Sequence, residues 1–272
     1  MIMGQLGTSV PDVMTPEARN FYCRVLEKLN EEKMPYLLGG AYALGKYTGI
    51  SRHTKDLDIF AHERDREGLF RILADMNFHV DPYFSHWLGK AVHGEDFVDV
   101  VFGAANGIAT VDDLWFQHAV KARWEGIPVQ LCPPEETIWS KGFVMDRYRY
   151  DGADIAHLIR AWDRLDWKRL LWRFESHWHV LLNHLVLFMY IYPGERSRIP
   201  KWVMDDLVRR LVQQAGKSEQ CGKVCRGVLL DGRQYQIDLD LWGYHDPRLR
   251  PQGNLSRQEV KNWTMHLESE QH

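Results

Sequence analysis

Along the first third of the chain the spacing of apolar positions changes several times, and each change predicts an element. Phe21, Val25, Leu26 and Leu29 recur at helical spacing behind Thr15-Pro16-Glu17, which supplies an N-cap, a proline suited to the first helical position and an acid in the first turn. A helix is therefore expected as far as about residue 32. Pro35 opens a short apolar run, Tyr36-Leu37-Leu38, which breaks at Gly39-Gly40 and passes into a helical stretch over residues 41–46 that Gly45, Thr48 and Gly49 bring to an end. Asp56-Leu57-Asp58-Ile59-Phe60 has period two, so Leu57 and Ile59 share one strand face and Asp56 and Asp58 the other. Leu69, Phe70, Leu73 and Met76 return to helical spacing within residues 62–76. Three short strands are expected at 78–81, 87–92 and 96–102, with Gly94-Glu95 as the turn joining the last two.

Further along, Asp112-Asp113 begins a short helix ending near His118, and residues 119–124 and 127–131 flank Glu125-Gly126 as a hairpin. Pro133-Pro134-Glu135-Glu136 opens a helix carrying Ile138, Trp139, Lys141, Phe143 and Val144. Arg147-Tyr148-Arg149-Tyr150-Asp151 follows, predicting a helix end at Tyr150, a cap at Asp151 and a new helix from near Ala153. From Ile155 the pattern is helical and rich in aromatics, with Trp162, Trp167, Trp172 and Trp178 leading into the apolar run 180–192. That run contains Asn183 and His184 and stops at Pro193-Gly194, so it suits a buried core helix better than a membrane span. A further helix passes through Trp202, Leu207 and Leu211, residues 213–223 form a polar crossing, and 227–232 and 235–242 look strand-like, with Asp238 and Asp240 on an exposed polar face. Ser256 with Glu259 resembles a capping box.

These elements predict an α+β fold: a mixed, largely antiparallel sheet with covering helices, then a helical, Trp-rich C-terminal region and a small terminal β segment. The expected division is an arm at 1–14, a catalytic domain at 15–150 and a mainly helical domain at 151–272 with a strand-rich module near 226–243. No strand leads into Gly-x-Gly-x-x-Gly and no Gly-x-x-x-x-Gly-Lys-Ser/Thr occurs, which removes the main support for dinucleotide-binding and P-loop folds.

Composition narrows the partners. The 272 residues include 34 basic and 37 acidic side chains, a formal charge of -3, so no global field draws a DNA duplex. Four cysteines do not make a disulfide framework, and Cys221 and Cys225 are spaced one residue too far for the usual metal knuckle. His177, His179 and His184 lack the intervening Glu of a zinc-protease helix. The absence of a basic segment leading into an apolar core makes the cytoplasm the expected location, with no membrane partner.

The chemistry concentrates in the acids. Asp56 and Asp58 repel each other across one strand face unless a cation compensates them, and a divalent metal with oxygen ligands is the usual solution. Asp99 stands alone in the apolar run Phe97-Val98-Asp99-Val100-Val101-Phe102, where burying an unpaired acid is costly. If its strand lies beside the first, three carboxylates converge, enough to hold two Mg²⁺ ions across a phosphate. The Gly39-Gly40 turn would let backbone N–H groups and a helix N-terminus approach an anion. Arg52 and Lys55 are candidates for phosphate contact and equally for solvated loop positions, and His53 suits a structural role better than that of a general base. Lys141 is either a solvated helix residue or a phosphate ligand. Asp151 is either a cap or, like Asp154, a partner that fixes Lys141 or Arg147.

Gly39-Gly40, Asp56-Leu57-Asp58 and Asp99, in that order, resemble the pattern of the nucleotidyltransferase superfamily that includes DNA polymerase β and the minimal bacterial nucleotidyltransferases. The spacing and the Arg52-His53-Thr54-Lys55 lead-in look most like the branch of AbiEii-type toxins and lincosamide nucleotidyltransferases, in which a later helix carries a lysine and a basic-then-acidic segment; Lys141, Arg147 and Asp151 or Asp154 fall there. The resemblance covers roughly residues 30–160 and implies Mg²⁺-dependent transfer of a nucleoside monophosphate from a nucleoside triphosphate to a hydroxyl acceptor, with Mn²⁺ as an alternative ion. It implies Asp56, Asp58 and Asp99 as catalytic metal ligands, with Asp99 sharing a second metal, and Gly39, Gly40, Arg52, Lys55, Lys141 and Asp151 as nucleotide-binding residues. A small molecule, a protein and tRNA all remain open as acceptors. A nucleotide-binding regulator without turnover and a toxin-like partner-binding protein stand as alternatives, and the oligomeric state is left open.

Overall fold

The Thr15 side chain accepts a hydrogen bond from the backbone N–H of Ala18, and with Pro16 at the first position it starts helix α1, Pro16–Glu31, whose Phe21, Tyr22, Val25, Leu26 and Leu29 are buried. The structure, a computed structural model, describes residues 15–50, 56–84, 87–94, 96–216, 222–250, 253 and 255–264. Arg52, His53, Thr54, Lys55, Glu95 and Cys221 therefore lie outside the described residues.

Seven strands form one sheet in the order β3-β4-β5-β2-β1-β7-β6. They are β1 (Leu37–Leu38), β2 (Asp56–Phe60), β3 (His79–Phe84), β4 (Leu88–His93), β5 (Asp96–Val101), β6 (Val120–Trp124) and β7 (Ile127–Leu131). The sheet is mixed: β1 with β2, β3 with β4, β4 with β5 and β6 with β7 are antiparallel, whereas β2 with β5 and β1 with β7 are parallel. The parallel pairing of β2 and β5 follows from the crossover between them, a single 3₁₀ turn at Glu63–Asp65, helix α3 at Arg66–Asp75 and the β3-β4 hairpin. Helix α2, Gly40–Thr48, links β1 to the segment before β2, and Gly49 ends it at φ +72° with its N–H bonded to the Gly45 carbonyl. Leu57, Ile59, Val98 and Val100, one face of the two acidic strands, are wholly buried in the core.

Helix α4, Asp113–Gln117, is capped by Asp112, and helix α5, Pro134–Gly142, follows β7. The chain then departs from a helix running to Tyr150: residues 143–150 fold back on themselves, with a bridge from Met145 to Tyr150 and the Asp151 N–H donating to the Val144 carbonyl. At the end of this helix Phe143 and Phe174 stack at 5.8 Å, and a β-carbon at Gly142 would stand 2.8 Å from the Phe174 ring.

Helices α6 (Gly152–Ala161), α7 (Trp167–Phe174), α8 (Trp178–Ile191) and α9 (Lys201–Ala215) build the helical region. Helix α6 packs on α2 and α5, and its buried residues join the same apolar core as the sheet. The run over α8 is a core helix with one open side, since Leu181, Leu185 and Phe188 are fully buried and Tyr190 is 82% exposed. No helix among the described residues is long and apolar enough to cross a membrane.

The terminal module is not strand-rich. Residues Arg226–Leu229 form a 3₁₀ turn and Gln236–Asp240 a short helix, α10, so Asp238 and Asp240 sit on a helix rather than on a strand face. Isolated bridges from Val224 to His245 and from Leu249 to Leu255 are its β content. Ile237 and Leu241 are exposed, so this alternation had no core face to bury and one helical turn satisfies the backbone locally. The capping box before α11, Arg257–Thr264, is present: Ser256 N–H donates to Glu259 Oε2 at 2.6 Å and Glu259 N–H to Ser256 Oγ at 3.3 Å.

Candidate active site

The register of β2 on β5 places Asp58 directly opposite Asp99 and Asp56 opposite Phe97. With side chains alternating across both strands, Asp56, Asp58 and Asp99 share the face turned away from Leu57, Ile59, Val98 and Val100. One carboxylate oxygen from each lies within 4.8 Å of the others, and this is the one such cluster of three metal-ligating groups among the described residues.

The glycine pair determines what can sit above them. Gly39 N–H donates to the Asp58 carbonyl at 2.9 Å and is thereby committed to the sheet. Gly40 adopts φ +55° at the start of α2, and a β-carbon there would stand 1.7 Å from Asp58 Oδ2. Only glycine lets the helix N-terminus descend onto this carboxylate, and it leaves the first-turn N–H groups of α2, from Gly40 onward, as the donors beside the acids.

The carboxyls of Asp58 and Asp99 are both raised. Burial, with the neighbouring charges of Asp56 and Asp99, pushes the Asp58 carboxyl up to about 7. Burial also raises Asp99, against the pull of Lys90, whose Nζ lies 3.4 Å from Asp99 Oδ1. That oxygen is buried and has no hydrogen-bond partner. Three converging carboxylates, a raised and buried Asp58 and a cleft that a single β-carbon would fill together fit a divalent cation with oxygen ligands, and the cluster could hold one.

A second group of charges flanks the first. Lys141, in the last turn of α5, donates to Asp151 Oδ2 at 2.6 Å and lies 2.8 Å from Asp154 Oδ2. Arg149 grips the same Asp151 in a fork, Nε to Oδ1 and Nη2 to Oδ2, each at 2.9 Å. Asp151 makes no side-chain cap on α6; burial raises its pKa, but the Arg149 and Lys141 contacts outweigh that and hold it below the usual carboxylate range. The positive charges of Lys141 and Arg149 also reach Asp58, where both favour the ionised form. The sequence places Arg147 in this role, yet its backbone N–H bonds Asp231 Oδ2 at 3.0 Å, and Arg149 is the residue at the carboxylate. The fork depends on the 143–150 turn, which no periodicity announces. Lys90 is the other residue not foreseen, although its register partner follows from counting back through the Gly94 turn, where His93 faces Asp96.

No protein-family model and no curated protein matches the chain. Among solved structures, the antibiotic-resistance factor ANT(2'')-Ia aligns over 63% of this chain and 98% of its own at 18% identity, with a TM-score of 0.46. The lincosamide antibiotic adenylyltransferase LnuA aligns over 53% of this chain and 96% of its own at 16% identity and a TM-score of 0.38. An antigenic nucleotidyltransferase-like protein from Paracoccidioides brasiliensis aligns over 68% and 93% at 15% identity and a TM-score of 0.43. At these scores the likenesses assign no activity and no branch of a superfamily; what defines the class of site here is this chain's own glycine turn, acid register and mixed sheet.

Proposed function

We propose that the chain is a divalent-metal-dependent nucleotidyltransferase that moves a nucleoside monophosphate from a nucleoside triphosphate to a hydroxyl acceptor. The observation that carries this reading is the alignment of Asp58 with Asp99 on parallel neighbouring strands, with Asp56 beside them, under a helix N-terminus that Gly40 lets approach. Asp56, Asp58 and Asp99 would hold Mg²⁺, or Mn²⁺ in its place, and the bound ion would neutralise charge developing on the triphosphate.

The side chains divide the remaining work. The α2 N-terminus beginning at Gly40 offers N–H donors to phosphate oxygens, and Lys141 and Arg149, fixed by Asp151 and Asp154, present positive charge that reaches Asp58. Asp99 takes up the proton of the acceptor hydroxyl. The acceptor oxygen bonds to the α-phosphorus, the bond from that phosphorus to the bridging oxygen breaks, and pyrophosphate leaves with the electron pair. Gly39 contributes by anchoring the turn, and Arg52 and Lys55 remain part of the proposed nucleotide-binding set.

A protein acceptor or partner is the second reading, favoured by the open apolar side of the helical region, where Val186, Tyr190 and Ile191 on α8 and Val208, Leu211 and Val212 on α9 are exposed. Incubation with each α-labelled nucleoside triphosphate and Mg²⁺, against panels of hydroxylated metabolites, tRNA and proteins, tests both. Metal-dependent label transfer with pyrophosphate release is expected, and no transfer to any acceptor class, the chain itself included, contradicts the enzyme reading.

A further inference from the structure

The helical region carries a group of cations that the acid cluster does not use. Residues Glu175–His177 make a single 3₁₀ turn between α7 and α8, and with α9 and the turn at Arg226–Leu229 they enclose a cleft of about 330 Å³. Ser176, Trp178 and His179 line it from the α8 side, Arg210 and Gln214 from α9, and Arg226 from the third wall. Among the described residues no carboxylate lines it.

The positive charges around the cleft are not cancelled. Asp206 is shared, its Oδ1 meeting Arg209 and its Oδ2 lying 2.6 Å from Arg210 Nη2, so one carboxylate serves two guanidinium groups. Arg226 is exposed and forms no ion pair among the described residues. No acid stands in the first turn of α8, and Glu175 lines the adjoining groove with Trp172 and Trp202. Burial, and then the charges of Arg226 and His179, hold the His177 imidazole below its usual range, so the positive field is felt inside the turn.

Guanidinium groups match the oxygens of a phosphate in geometry as well as in charge, and the Ser176 hydroxyl adds a donor. Trp178, stacked on the His179 ring at 3.7 Å, sets a flat apolar surface beside these donors. We propose that the cleft binds a phosphate group, gripped by Arg210 and Arg226 with Ser176 donating, and that Trp178 favours a phosphate carried on a nucleoside over the free ion. The site shares no residue with the acid cluster or with the Lys141 and Arg149 group and needs no metal, so it goes beyond the nucleotidyl-transfer reading and stands or falls apart from it.

The test is calorimetric titration of the full chain at low ionic strength with a chelator present, which denies the acid cluster its cation, using inorganic phosphate and adenosine monophosphate as separate probes. Saturable binding of both is expected, adenosine monophosphate being the tighter, and Trp178→Leu should bring the two affinities together. Arg226→Gln, at an exposed position, should weaken both probes by roughly tenfold or more, and Lys141→Ala should weaken neither. If Arg226→Gln does not fold, Arg226→Lys, which keeps the charge and loses the fork, supplies a smaller loss. Equal affinities of wild type for the two probes would assign the same cleft to free phosphate. No saturable binding of either probe, binding untouched by the Arg226 variants, or binding lost in Lys141→Ala overturns the inference.

Discussion

Two of the acid groups among the described residues differ in what is brought onto them. Glu135 and Glu136 on α5, with Asp112 at the cap of α4, are met by two arginines from α7: Arg169 pairs with Glu135, and Arg173 donates to Glu136 Oε1 at 3.1 Å and forks onto both oxygens of Asp112 at 2.6 and 2.8 Å. The Glu135 carboxylate also accepts the Asp166 backbone N–H. Burial raises Asp112 but the Arg173 fork outweighs it, so its carboxyl lies below the usual range. Glu136, fully buried, is raised by burial against the pull of both arginines. At Asp58 and Asp99 no arginine among the described residues is brought onto the carboxylates; a glycine helix start approaches Asp58 and a lysine approaches Asp99. The first cluster completes the join between the helical region and the sheet. The second keeps an excess of negative charge in a partly buried cleft, which costs stability in the metal-free protein and is what a cation-binding site requires.

The largest difference between the clusters should appear in chemistry. Asp58→Asn keeps the shape beneath Gly40 but removes a charge that the proposed reaction needs, so nucleotidyl transfer should fall by on the order of a thousandfold or more while the circular dichroism spectrum is unchanged. Arg173→Met should instead leave Glu136 and Asp112 without their partner and lower folding stability by about 3–5 kcal/mol in denaturant titrations. An Asp58 variant that unfolds, or an Arg173 variant that folds as wild type and loses turnover, would reverse the assignment.

The two clusters were not equally visible in the sequence. Asp56, Asp58 and Asp99 stand out because each interrupts an apolar strand, and period two alone puts the first pair on one face. Glu135 and Glu136 look like ordinary first-turn acids of a helix, and only the docking of α7, more than thirty residues later, reveals that they are buried. Lys90 needed the β4-β5 register, which counting back through the Gly94 turn supplies, and Arg149 needed the turn at 143–150, which no periodicity announces. The helices were legible where a cap accompanied the periodicity, as at Thr15, Asp112 and Ser256. The run 235–242 was misread because a short alternating run whose Ile237 and Leu241 stay exposed specifies nothing by its period.

Lys141 lies between the two situations, since it is matched by carboxylates and yet its charge reaches Asp58. Lys141→Ala should weaken a nucleoside triphosphate by roughly ten- to hundredfold, equivalent to about 1.5–3 kcal/mol, and the corresponding monophosphate much less. Equal losses for both ligands, measured by calorimetry at fixed Mg²⁺, would confine Lys141 to holding Asp151 and Asp154.

The smallest effect concerns pH. Because Asp58 titrates near 7 in the folded metal-free protein, well above its unfolded value, the native state binds more protons than the unfolded state between about pH 4 and 7. Stability should therefore decline as pH rises through that window, with the full penalty present above 7. Asp58→Asn should flatten the profile and raise the melting temperature at pH 8 in the presence of a chelator. A wild-type profile that climbs from pH 5 to 8 by the same amount as that of the variant would contradict the raised carboxyl.

The most direct measurement is a calorimetric Mn²⁺ titration at pH 8 in the presence of a non-hydrolysable nucleoside triphosphate, comparing wild type, Asp58→Asn and Asp112→Asn, with the heat of nucleotide-only binding subtracted. Saturable binding is predicted for wild type and for Asp112→Asn, and its loss for Asp58→Asn. Retention of wild-type binding by Asp58→Asn, or equal loss in both variants, would contradict the assignment of Asp56, Asp58 and Asp99 as the metal centre.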